Sequence, residues 1–387
     1  MRSAPRVSPL RGATLAASAL ALSVLVAGCS AGTTGSRGST TTGTNGGGPP
    51  GSTSGPGGGR PGSIVVAPVG VRAIIDRDAF VNNQANEIVS IPLQDSHEAC
   101  MQDVADDDNF RFIEANHVPS SDTSLGGFAS IPTTDFVPRQ TTYPAYFTVV
   151  LDNKVQGQPT TESLATYVRA SSAASWKLEW SSFLLGSLPG FAVPAPANDA
   201  SGFAKSLDPS SNAYEIPPGS VASRVAAALS SDAGTGTMPH GFSVDTGPNG
   251  PVDPATVVRA NSRIGQSLSI SFSTDGPPAA APGLPSPACP TPAYALKDGA
   301  ALVTFLMFET DVYSDASASS PLTQPSTYSG FGVSVKPGVY SMIREVSADF
   351  YTVLDPPHGS RSPVEVVGEN QEVISSQSLK GGGATSA

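Results

Sequence analysis

Apolar and polar positions alternate most regularly in the middle of the chain. Tyr146-Phe147-Thr148-Val149-Val150-Leu151 ends at Asp152-Asn153, and Leu164-Ala165-Thr166-Tyr167-Val168-Arg169 follows across a polar loop containing Gly157 and Pro159. Both runs are rich in β-branched and aromatic residues and are bounded by turn formers, which predicts strands. In Trp176-Lys177-Leu178-Glu179-Trp180 the alternation puts Trp176, Leu178 and Trp180 on one face and Lys177 and Glu179 on the other. Three such runs in succession predict a half-buried antiparallel meander. Residues 266–274 alternate again, with Leu268, Ile270 and Phe272 on one face, and Tyr294 to Leu296, Ala301 to Tyr313 and Ile343 to Leu354 also read as strands. Pro356-Pro357 ends the last of these. Val364-Glu365-Val366-Val367 with Glu372-Val373-Ile374 are expected to close the fold as a hairpin, before an unordered tail over residues 376–387.

Helical spacing is found in three places. Ile74, Ile75, Phe80, Val81, Ala85 and Ile88 recur at intervals of one, three and four, which suits a helix over the later part of Val71 to Ile91, limited by Pro92. Pro217-Pro218-Gly219-Ser220 supplies an N-cap for a helix from about Val221. Asp253 caps a further helix, with Pro254 at its first position, to about Ile264. Between these, His97 to Asn116 is acidic at Asp103, Asp106, Asp107 and Asp108, then apolar at Phe110, Phe112 and Ile113. The expected fold class is α+β. Two modules, residues 62–230 and 253–375, lie either side of a Gly/Pro-rich linker at 231–252, each with helices packed on a curved antiparallel sheet, similar to the nuclear-transport-factor-like cone.

The N-terminal pattern changes where the chain must reside. Arg2, Arg6 and Arg11 precede an uncharged apolar run from Ala13 to Ala27, the layout of a secretory signal peptide. That run of about fifteen residues falls short of the roughly 20 that a spanning helix needs. Val26-Ala27-Gly28-Cys29 resembles the bacterial lipobox, which implies cleavage between Gly28 and Cys29, removal of residues 1–28, and lipid on Cys29. Two or three acyl chains at one cysteine provide the several anchors that stable membrane attachment requires. Residues 29–61 are Gly, Ser, Thr and Pro with scarcely a hydrophobic residue, a tether that holds the body about 30 Å from the membrane.

Composition fits an exported, loop-rich protein: 387 residues include 40 Gly and 36 Pro, and only 14% are charged. The net charge is -11, and loss of the three leader arginines takes it to about -14. This excludes nucleic acid and anionic lipid headgroups as partners, since both require clustered Lys and Arg. With Cys29 committed to lipid, Cys100 and Cys289 remain, and an oxidising compartment favours a disulfide between them over two separate thiols. In the chain-entropy model a closed loop of about 190 residues contributes roughly 5 kcal/mol.

A family resemblance rests on Phe136-Val137-Pro138-Arg139 to Tyr146-Phe147, Tyr167-Val168-Arg169 to Trp176-Lys177-Leu178, and Pro217-Pro218 before a helix. Val353-Leu354-Asp355-Pro356-Pro357-His358-Gly359-Ser360 followed by Val364 to Val373 completes it. Together these resemble an uncharacterised family of actinobacterial lipoproteins over most of residues 70–376. The resemblance implies a shared fold and an envelope location and brings no activity or site. Residues 92–125 match it least.

Chemistry is sparse in the sequence. Beyond the tether neither Gly-x-Ser-x-Gly nor a helix-opening Ser-x-x-Lys occurs, and Ser243, beside His240, is the nearest approach to a nucleophile. His97, Glu98, Cys100 and Asp103 lie close together, yet Cys100 is better used in the disulfide. The four aspartates lack the alternating spacing and glycine of a calcium loop and read as a solvated acidic turn. His117 and His358 read as isolated surface residues. Neither a catalytic residue nor a metal or cofactor site is therefore assigned. Tyr146, Trp176 and Trp180, with Phe183 nearby, are placed to stack against an apolar or sugar ligand, core packing being the alternative.

These features point to a membrane-anchored extracytoplasmic lipoprotein that acts as a binding or scaffolding module for an envelope protein or a small ligand. The alternatives are a cell-wall-directed hydrolase using carboxylates and a structural spacer. Paired acids, one with a raised pKa, in a cleft would favour the hydrolase, and an apolar pocket would favour ligand binding.

Overall fold

The computed structural model describes residues 63–118, 129–154, 160–184, 192–244, 253–276, 289–315, 322–330 and 333–379. The signal peptide, the Gly28-Cys29 junction and the whole of the tether lie outside the described residues. The expected meander is present as β1 (Ala129–Phe136), β2 (Ala145–Lys154), β3 (Thr161–Arg169) and β4 (Lys177–Leu184), each antiparallel to the next. The sequence reading lacked β1. Its residues do not alternate, and Pro132 sits at a register shift on what is the outer edge of the sheet, where a missing N–H is tolerated.

Further along come β5 (Phe242–Val244), β6 (Gln266–Ser273), β7 (Ala293–Ala295) and β8 (Ala301–Asp315). The short strands β9 (Leu322–Gln324), β10 (Tyr328–Gly330), β11 (Val333–Val335) and β12 (Gly338–Tyr340) form two small separate sheets. The long strands β13 (Met342–Asp355) and β14 (Val364–Leu379) complete the set. The main sheet runs β1-β2-β3-β4-β14-β13-β8-β6 and does not close. β5 lies parallel to β14, and β7 is antiparallel to β8.

One continuous sheet therefore passes through residues of both expected modules. The join is narrow: Leu184 pairs with Gly368, and Phe183 with Glu369. A Cβ on Gly368 would stand 3.0 Å from Leu184 Cδ2 and from the Phe183 carbonyl oxygen, so only glycine lets the strands approach. Beside the join, one apolar cluster draws Val150, Leu164 and Trp180 together with Leu302, Phe308 and Phe350. Trp180 stacks on Phe350 at 6.0 Å between centroids.

The closing hairpin does not form. β14 is a single strand, in which Gly368, Glu369, Asn370 and Gln371 pair with Thr352, Tyr351, Phe350 and Asp349. The polar residues that looked like a turn are strand residues with cross-strand partners, and buried Ser375 and Ser376 carry the strand on to Leu379.

Among the described residues there are five α-helices: α1 (Val71–Ile88), α2 (Ile91–His97), α3 (Cys100–Ala115), α4 (Val221–Thr235) and α5 (Pro254–Arg263). α1 ends at Val89, which adopts φ 50°. Pro92 then sits in the first turn of α2, where its lack of an N–H costs nothing, and Ser90 Oγ accepts from the Leu93 N–H as cap. The four aspartates belong to α3 and not to a solvated turn, because Met101, Val104, Ala105 and Ile113 form an apolar stripe between them. α5 begins as its sequence predicts, with Asp253 accepting from the Ala255 N–H. No helix among the described residues is long and apolar enough to cross a membrane.

Candidate functional site

The site begins with a fault in β4. Thr166 pairs with Trp180 and Tyr167 with Leu178, which leaves Glu179 without an opposite residue. Such a bulge reverses the faces of the residues beyond it. Trp180 enters the cluster with Val150 and Leu164, whereas Leu178 and Trp176 pack on the other face against Phe147 and Tyr167. The three residues expected to line one pocket are therefore divided, with Trp176 on the face opposite Trp180. Tyr146 packs beside the Trp180 cluster. Trp176 stands edge-on to Phe147 at 5.0 Å and lines a cavity of about 230 Å³ with Ile74, Arg77, Asp78 and His97.

A second cavity, of about 180 Å³, shares Asp78 with the first. Its floor is the face of β1–β4 that carries Leu151, Ala165, Tyr167 and Leu178, covered on one side by Val71 and Ile75 of α1. Hydroxyl and amide groups extend this floor: Ser130 Oγ donates to Asn153 Oδ1 at 3.0 Å, and Asn153 Nδ2 to Ser163 Oγ at 2.7 Å. Thr161 and Ser181 also line the cavity, and Phe183 beside them is 42% exposed.

The walls come from helices. α1 supplies Asp78 and Asn82, α3 supplies Gln102 and Asp106, and Glu98 stands between α2 and α3. Glu98 is placed by the backbone, since the Ala99 N–H donates to the Leu178 carbonyl at 2.8 Å beside the bulge. Gln94 holds the acids together, its Nε2 donating to Glu98 Oε1 at 2.5 Å and to Asp106 Oδ2 at 3.0 Å. Gln102 Nε2 also donates to Asp106 Oδ2, at 3.1 Å. Behind them His97 Nδ1 lies 2.9 Å from Asp78 Oδ1, and the Tyr167 hydroxyl donates to Asp78 Oδ2 at 2.8 Å.

Burial, and then the nearby Asp106, push the Glu98 carboxyl well above the usual range. Glu98 Oε2 and Gln102 Oε1 are buried without a hydrogen-bond partner. Among the described residues three carboxylates line this cavity and no Lys, Arg or His does. Of these residues the sequence points to Glu98 and Asp106 as candidate metal ligands and to Phe183 beside an aromatic pocket. The signal left unread is polar pairing at i,i+4, in Asp78/Asn82, Gln94/Glu98 and Gln102/Asp106, which places both members on one helix face.

The remaining candidates are dispersed. The structure brings Cys100 and Cys289 together: their Sγ atoms and a Glu179 oxygen all lie within 4.8 Å of one another, and both cysteines are free thiols. Cys100 Sγ donates to Glu179 Oε1 at 3.4 Å. Its thiol is pushed up by its hydrogen bond to Cys289 and by burial, and burial likewise raises Glu179. Glu309, Asp349 and Glu369 form a second close acidic group. Ser243 lies in β5 with its Oγ buried and without a hydrogen-bond partner, so no base activates it. His117 is exposed, as is His358, which lies 3.8 Å from Glu215.

No curated protein and no solved structure matches this chain. A family profile does match, over residues 71–378, which takes in α1 to β14 and every residue of the acidic cavity. The chain belongs to the family described as Domain of unknown function (DUF8094).

Proposed function

We propose that this chain is an exported, lipid-anchored binding protein of the bacterial envelope. Its ligand site is the cavity between α1–α3 and β1–β4, and the ligand is a small hydroxylated amine of the amino-sugar class. One observation carries the reading: Glu98, 2% exposed with one oxygen lacking a partner, faces a cavity lined, among the described residues, by three acids and no cation. A buried carboxyl in that setting is satisfied by a ligand that donates hydrogen bonds and carries positive charge. The Ser130, Asn153 and Ser163 network offers complementary partners for hydroxyls. About 180 Å³ is below the roughly 300–1,000 Å³ of drug-sized sites, so the occupant is about one sugar ring in size. Helices over one face of a meander with a cavity between them also fit the nuclear-transport-factor-like arrangement. Cys29 provides the anchor and residues 29–61 the tether, in keeping with the lipobox-like Val26-Ala27-Gly28-Cys29.

Hydrolysis of a wall polymer by paired carboxylates is the second reading. It is favoured by the pairing of Glu98 and Asp106, both held by Gln94 Nε2, with the Glu98 carboxyl pushed above the usual range by burial and then by Asp106, an acid placed beside a base. Thermal shift of the full-length chain with glucosamine, glucose and glucuronate, run beside an assay for reducing ends released from wall polysaccharide, separates the two. Binding predicts stabilisation by glucosamine first, glucose weakly and glucuronate least, with no release. Release of reducing ends that is lost in Glu98→Gln would establish the hydrolase instead.

A further inference from the structure

We propose that Cys100, Cys289 and Glu179 form a metal site that takes a zinc-type divalent cation, with a fourth position left to water. The three ligand atoms come from distant parts of the fold, namely the first residue of α3, the bulge in β4 and the segment leading into β7. They nevertheless lie within 4.8 Å of one another, and Cys100 Sγ is 3.4 Å from Glu179 Oε1. That is the separation of two donors sharing one tetrahedral ion, whose zinc–sulfur and zinc–oxygen bonds are about 2.3 and 2.0–2.2 Å. Two thiolates and a carboxylate suit zinc, and hard cations such as calcium and magnesium prefer all-oxygen sites.

The second, independent observation is Glu179 itself. It is fully buried, its Oε2 has no hydrogen-bond partner, and none of the groups acting on it is a cation. A bulge that turns a carboxyl into such a position destabilises the fold unless something there neutralises it. A disulfide between the two cysteines would place only sulfurs without hydrogens against that carboxyl, whereas a divalent cation compensates it directly. Cys100 also holds φ 57°, an outlier for a side-chain-bearing residue, at the point where its Sγ meets Glu179. Both cysteines are partly exposed, which leaves the ion a route in.

The test is cobalt titration of the full-length chain, reduced and kept free of oxygen, read by thiolate-to-cobalt charge-transfer absorption. One equivalent should bind and be displaced by zinc. Cys100→Ser and Cys289→Ser should each abolish the band, and Glu179→Gln should weaken binding with the thiolate band retained. Melting curves recorded without metal show whether each variant folds, and the wild-type titration stands whatever they show. Two results would overturn the proposal: a reduced wild-type chain that binds no cobalt, or alkylation trapping at cell lysis that finds Cys100 and Cys289 already joined as a disulfide.

Discussion

At Trp180 and Trp176 a single residue decides what each aromatic side chain does. Strict alternation would place them on one face, and the bulge at Glu179 sends them to opposite faces. Trp180 is 1% exposed and stacked on Phe350, so Trp180→Ala should cost about 3–5 kcal/mol in urea denaturation. Trp176 is half-buried at a cavity wall, and Trp176→Ala should cost less than half as much. Equal losses would mean that the two rings share one environment. Gly368→Ala should cost about 1–3 kcal/mol, because its Cβ would meet the Phe183 carbonyl and Leu184 at 3.0 Å where backbone cannot yield. At this scale the sequence was partly legible. Alternation located the strand, but a bulge leaves no mark in a hydrophobic pattern, and Gly368 looks like a turn glycine until its cross-strand neighbours are known.

Elements were legible where one local rule decided them. Asp253-Pro254 began a helix as capping chemistry requires, and the Tyr146 and Leu164 runs became adjacent strands. Where two rules competed the reading failed. Pro92 reads as a stop, yet with Ser90 before it the same proline starts α2. The aspartates of α3 outweighed the apolar stripe beneath them, so the helix that carries Gln102 and Asp106 was missed, and most of the site with it. α2 has seven residues and one side-chain cap, so Ser90→Ala should cost about 1 kcal/mol and speed amide exchange over Ile91 to His97. Unchanged exchange there would show that Gln94 and its partners, not the cap, hold α2.

Across the whole molecule, buried acids set the response to pH. Burial raises Glu345 to about 8, and Asp108 and Asp355 to about 7. Unfolded, such groups release their protons near pH 4. The folded chain therefore holds protons that the unfolded chain has lost, and stability falls as pH rises from about 4 through 8. The melting temperature should be higher at pH 5 than at pH 8.5, and the reverse order would show that these acids are ionised in the fold. Acidic composition and net charge gave no hint of this, because they count carboxylates without locating them. The continuity of the sheet was equally hidden, resting on two residue pairs between β4 and β14.

The most direct measurement is calorimetric titration of glucosamine into the full-length chain, beside Asp106→Asn and with N-acetylglucosamine as the uncharged comparison. The acidic cavity predicts one binding site, weaker binding of the acetylated sugar, and a loss of about tenfold or more in Asp106→Asn, since a charge-assisted hydrogen bond contributes about 1.5–3 kcal/mol. No binding, or equal binding by wild type and variant, would contradict the assignment of this cavity as the ligand site.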